Sequence, residues 1–116
     1  MLRNVALTAP YGHNGAYPTL EGIVRHHLDP IATLDSWTSD MAKLPKAPWF
    51  EEVDFIVQAD HREIARQRAM VDIAPVRLND THVSEIVAFL ENLTGATALN
   101  RPLGRPESVP SGLSVD

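Results

Sequence analysis

The chain has 116 residues, 44% of them hydrophobic, with no cysteine and a formal net charge of -5. That length allows at most one small domain of ordinary globular composition, and the acidic balance without a run of Lys and Arg excludes a nucleic-acid footprint or a polybasic membrane anchor. Without cysteine there are no disulfides, thiolate ligands or cysteine nucleophile, and no apolar stretch approaches the roughly twenty residues of a membrane span.

The amino end shows no basic leader followed by an apolar core, so no signal peptide is expected, and taken literally the chain is cytoplasmic. Residues 2–18 are punctuated by Pro10, Gly12, Gly15 and Pro18 and read as a loop with little regular structure. Thr19 then serves as N-cap of a first helix that carries Leu20, Ile23, Val24 and His27 at i, i+3, i+4 and i+7. His27 therefore shares the apolar stripe, and His26 points elsewhere. An imidazole at the end of such a stripe is either a core histidine with a satisfied hydrogen bond or a metal ligand aimed into a pocket. Asp29-Pro30 ends the helix, because the residue before a proline is pushed out of the helical region.

Residues 31–58 show no sustained period, with Trp37, Leu44, Trp49, Phe50, Val53 and Phe55 scattered among prolines. They are expected to fold as loops with a short helix, with their large apolar side chains covered. Trp37 and Trp49 read as packing residues, with electron relay as the alternative use. Asp60 and Glu63 open a helix near 60–71 whose arginines suit a solvated face. After Pro75, Asn79 or Asp80 caps the strongest helix of the chain. There Val83, Ile86, Val87, Leu90 and Leu93 recur at helical spacing, His82 lies exposed in the first turn, and Gly95 is the expected C-terminal cap. From Ala96 onward Pro102, Pro106 and Pro110 interrupt a stretch without period, which reads as an extended arm with no helix.

Two blocks carry a family resemblance. The first is Leu2-Arg3-Asn4-Val5-Ala6-Leu7-Thr8-Ala9-Pro10-Tyr11, with His13-Asn14-Gly15 and Thr19-Leu20-Glu21. The second is Leu78-Asn79-Asp80, with Ile86-Val87-Ala88-Phe89-Leu90 and Leu93-Thr94-Gly95. Together, in this order, they resemble the C-terminal part of the second haem domain in the di-haem cytochrome c peroxidase family, which includes the MauG-type methylamine-utilisation enzymes. The resemblance implies a mainly α fold: a cytochrome c-like domain fragment of about three helices with long loops and an extended C-terminal tail. It divides the chain into residues 1–95, a partial haem domain with an insertion near 29–77, and the tail 96–116.

The family's Thr-x-Pro-Tyr-x-His-x-Gly block aligns on residues 8–15 without a gap through Thr19-Leu20-Glu21. The position of the family's methionine or tyrosine axial ligand then falls on His27, with His26 as the fallback if the helix is rotated. Histidine is a good haem-iron ligand, and it is expected to give a lower potential than methionine. By the same resemblance His13, Tyr11 and Asn14 would orient and tune the haem surroundings without ligating it. Thr8 and the Pro10 carbonyl would reach the family's calcium ion, although two oxygens from one loop cannot make a six- to eight-coordinate site and Thr8 is as readily a loop cap.

The family attaches haem c through Cys-x-x-Cys-His motifs, which would lie upstream of Leu2 and which this chain lacks. It is therefore expected to be a truncated or split C-terminal piece of a periplasmic oxidoreductase that moves electrons through haem and reduces hydrogen peroxide. Its partners would be a haem-bearing N-terminal portion or subunit and an electron-donor protein. No catalytic residue is assigned within the chain, and no peroxidase turnover is expected from it alone. The alternative is a cofactor-free interaction module or an inactive remnant. A zinc site from His26, His27, His61 and His82 has no supporting spacing, and no hydrolase motif is present.

Overall fold

Three helices expected from apolar spacing are present in the computed structural model, which describes residues 2–44, 47–50, 53–99 and 109–112. They are α1 (Leu20–Leu28), α4 (His61–Ala69) and α5 (Asp80–Asn92), joined by shorter helices α2 (Pro30–Ser36), α3 (Ile56–Ala59) and α6 (Ala96–Leu99). Among the described residues there is no β-strand, only one antiparallel bridge between Tyr11 and Tyr17. The fold is mainly α.

Each long helix starts where a side chain can take up a free backbone N–H. Thr19 Oγ1 accepts from Gly22 N at 3.0 Å, Asp60 Oδ1 from Arg62 N at 2.8 Å, and Asn79 Oδ1 from His82 N at 2.9 Å. Of the two caps expected for α5, Asn79 is the one used. Asp29 ends α1 and begins α2: its Oδ1 accepts from Ala32 N at 2.9 Å, and Pro30 occupies the first turn, where a missing N–H costs nothing. The proline therefore starts a second helix as well as closing the first.

Three local expectations differ from what is observed. Residues 2–18 contain two 3-10 turns, Val5–Leu7 and His13–Gly15, which proline and glycine punctuation alone does not specify. Gly95 is not a left-handed cap; α5 closes at Leu93 through i+3 bonds from Leu93 N to Leu90 O and Thr94 N to Glu91 O. Ala96–Leu99 form a helical turn where an extended arm was expected, because Ala-Thr-Ala-Leu precedes the prolines that break the pattern. Of the rest of the tail, residues 109–112 form a turn, and the remainder lies outside the described residues.

Packing centres on α1 against α5 and α2. Leu20, Tyr11 and Val83 are the buried hydrophobic side chains, and Val83 is 1% exposed. Arg25 ties the two helices at their rim, reaching Glu21 at 2.8 Å and Asp80 at 2.7 Å, and Val76 N donates to Leu28 O at 2.8 Å. Beyond this centre the expected covering of the large apolar residues is met at Trp37 and Phe55, which are half-buried, and fails elsewhere. Trp49 is 76% exposed, and Phe50, Val53, Ile56, Met70 and Phe89 are each more than half exposed. The radius of gyration, 17.9 Å, exceeds the roughly 13 Å of a compact chain of this length. Six short helices and their loops do not enclose these side chains.

Candidate functional site

The two adjacent histidines of α1 diverge. His26 is half-buried and turned toward a cleft of about 1030 Å³. His27 is exposed on the other side of the same turn, its ring 5.8 Å from that of His26 and nearly perpendicular to it. The apolar stripe holds for Leu20, Ile23 and Val24, which are buried or half-buried, but it fades at His27 because no element covers the last turn of α1 there.

Hydrogen bonding fixes the Nδ1 proton of His27 and leaves His26 two tautomers. His27 Nδ1 lies 2.8 Å from Ile23 O, and a carbonyl only accepts, so Nδ1 carries the proton and Nε2 is left with its lone pair. His26 Nδ1 lies 2.8 Å from Thr33 Oγ1, and that hydroxyl donates to Asp29 O at 2.9 Å. The Tyr17 hydroxyl, 2.9 Å away, donates to Nδ1 in one tautomer of His26, and Nδ1–H donates to Thr33 Oγ1 in the other. Burial, and then the neighbouring His27, lower the pKa of His26 from its ordinary value, which favours the neutral ring. His27 thus has the arrangement common in metal-ligating histidines, in which Nδ1 is held by an acceptor and Nε2 is free, and His26 has it in the second of its two tautomers.

Around the cleft the structure brings together His13, Asn14 and His26 with Tyr17, Trp37 and His61. Thr8, Pro10, Tyr11 and His27 do not line it. Tyr11 is buried and donates its hydroxyl to Val5 O at 3.0 Å, so it serves the packing of the amino-terminal loop. Thr8 caps the first 3-10 turn by donating to Val5 O at 2.9 Å. Among the described residues no group of three or more His, Asp or Glu is arranged to hold a metal ion, which removes the zinc alternative there.

The sequence reading did not single out Tyr17 and Thr33, the two partners of His26, or the ring wall of Trp37. Tyr17 fits because Gly12 and Gly22 flank its ring; a Cβ at Gly12 would approach Tyr17 Cδ2 to 3.1 Å. Trp37 donates Nε1–H to Ala16 O at 3.0 Å and meets the Phe55 ring at 5.7 Å. The glycine spacing around Tyr17 was the signal available. Thr33 and Trp37 reach the site only through the turn at Asp29, which period analysis does not supply.

No protein-family model matches the chain. No solved structure matches it. Among curated proteins it is similar to the methylamine utilization protein MauG of Paracoccus denitrificans (strain Pd 1222), with 32% identity over 99 residues. The relation to MauG is distant. The alignment covers 80% of this chain but only 21% of MauG, so the chain spans about a fifth of its relative's length. Among the described residues no helix is long and apolar enough to cross a membrane.

Proposed function

We propose that this chain is the part of a MauG-like, di-haem oxidoreductase that carries the helix with an axial ligand of the C-terminal haem, and that His27 is that ligand. The observation that carries the reading is the bond from His27 Nδ1–H to Ile23 O, which leaves an exposed Nε2 free at the end of α1. The backbone acceptor holds the ring in one tautomer and orientation before any iron arrives. His26 faces the cleft, reaches the same arrangement only in the tautomer that donates from Nδ1, and is the fallback.

The residues present fit axial ligation and not covalent attachment. With no cysteine in the sequence, thioether links to haem c must come from another portion of the protein or another subunit. The surface supports such a partner. The chain exposes 9379 Å², against roughly 6300 Å² for a compact monomer of its mass. Haem, when bound, would supply the electron transfer and the peroxide reduction; His27 would hold its iron and would set a lower potential than methionine. His13 and Asn14 line the cleft beside His26 and not beside His27, so they would orient the haem surroundings only with His26 as the ligand. Thr8 and the Pro10 carbonyl offer too few oxygens for calcium, whose shell of six to eight would be completed outside this chain. By the same family reading the whole protein works in the periplasm and takes electrons from a donor protein.

The reading is tested by titrating haemin into the parent chain and into His27→Ala, His26→Ala and doubly substituted proteins, followed by absorption and electron paramagnetic resonance. The parent and His26→Ala should give the shifted Soret band and axial high-spin signal of haemin with one bound imidazole, and His27→Ala should lose them. An imidazole-bound complex in His27→Ala equal to the parent's would overturn the assignment.

A further inference from the structure

The cleft is a site distinct from the exposed His27, and its two walls barely touch. One wall is α1, α2 and the loop at residues 12–17; the other is the α3–α4 hairpin, residues 53–69. Two contacts span the gap. The Arg68 guanidinium of α4 pairs with the Asp35 carboxylate of α2, and the Phe55 ring leans on Trp37 at 5.7 Å. Beyond α4 residues 71–79 carry no regular secondary structure, and the chain is next fastened at Val76, whose N–H donates to Leu28 O. Among the described residues, 70–75 make no backbone bond apart from the closing turn of α4, which gives the hairpin a hinge.

We propose that the cleft binds a flat aromatic small molecule and that the α3–α4 hairpin is the flap closing over it, latched by Asp35 and Arg68. The chemistry of the lining favours that class of ligand. Tyr17, Trp37 and Phe55 offer ring faces, Ile64 offers an apolar floor on the flap, and His13 and His61 offer hydrogen bonds at the margin. Aromatic walls interleaved with histidine, amide and carboxylate groups suit a planar ring that carries polar substituents. Both latch residues are partly exposed, at 46% for Arg68 and 51% for Asp35. Such a pair is weak and screened by salt, as a latch that must reopen requires. The site stands whether or not His27 ligates iron, because His27 does not line it.

The test uses the full chain with Trp49→Phe, so that Trp37 is the single tryptophan, and 8-anilinonaphthalene-1-sulfonate as the probe. Expected is one saturable binding step that quenches Trp37. Probe release should be three- to tenfold faster in Asp35→Asn and at high salt, and should return within twofold of the parent in the charge exchange Asp35→Arg with Arg68→Asp. Ile64→Asp should abolish the step, while Phe89→Ser, on the exposed face of α5, should leave it unchanged. Should Ile64→Asp not fold, Gln67→Phe fills the cleft from an exposed position and must abolish the same step. Probe binding and Trp37 quenching that survive cleft filling would overturn the site. Release rates equal in Asp35→Asn, the charge exchange and the parent would overturn the latch.

Discussion

Asn4 Oδ1 accepts the backbone N–H of Gly95 at 2.9 Å, and Asn4 N donates to Leu93 O at 3.1 Å. One residue near the amino end thus closes the carboxyl end of α5, and it joins the two blocks that carry the family resemblance. Asn4 also sits in the left-handed region, φ 60, which asparagine tolerates better than most side chains. Asn4→Ala should therefore lose both the side-chain bond and the favourable backbone, costing about 2 kcal/mol in urea unfolding. Asn4→Gly keeps the backbone freedom and should cost less than Asn4→Ala. Equal losses for the two would show that only the hydrogen bond matters.

The small centre makes Val83 unusually important. Val83→Ala removes two methyl groups from a side chain 1% exposed and should cost about 2 kcal/mol, most of the stability a centre this small provides. Phe89→Ala, on an exposed ring, should change stability by less than about 0.5 kcal/mol in the isolated chain. Thermal melts of the two variants against the parent check both expectations.

Gly15 is a backbone requirement. Its φ is +70, and a Cβ there would come within 2.7 Å of Pro10 Cγ. Gly15→Ala should destabilise the chain by roughly 1–3 kcal/mol and perturb the loop that presents His13 and Asn14. Chemical-shift changes confined to residues 8–17 would match this; an unperturbed spectrum would not.

Helix positions were legible because caps and apolar spacing act locally. Thr19, Asp60 and Asn79 each cap where the sequence places them, and Leu20 and Val83 fall on the inward stripe. The site was legible only in part. His26 and His27 stood out as a pair, but which one faces a cleft depends on Thr33 and Trp37, brought in by a helix that starts on Pro30. The covering of Trp49, Phe50 and Ile56 was inferred from their size. It fails because coverage depends on surfaces this chain does not bring to them.

Acid should weaken the fold through His26. Its folded-state pKa is lowered, by burial first and by His27 second, so the folded chain binds protons less readily than the unfolded one. The contribution is fully present above the ordinary histidine range. It is lost as pH falls through that range toward the lowered value. In urea melts His26→Gln should flatten this part of the pH profile, whereas His82→Gln, in the exposed first turn of α5, should not.

Helicity should respond to haem if α1 forms part of a haem site. The far-ultraviolet dichroism of the chain should gain intensity with haemin, and the melt should become more cooperative. Peroxide consumption by the haemin-loaded chain should stay at the level of free haemin. Strong, His27-dependent turnover would contradict that expectation, and a sharp melt unchanged by haemin would favour a cofactor-free module.

The most direct measurement is the intact mass of the native protein from the cells that make it, with a haem stain on the same band. A haem-staining species far heavier than the 12.8 kDa of these 116 residues is predicted, with His27 in its C-terminal haem portion. A haem-free species at 12.8 kDa would contradict the oxidoreductase reading and leave only the helical scaffold.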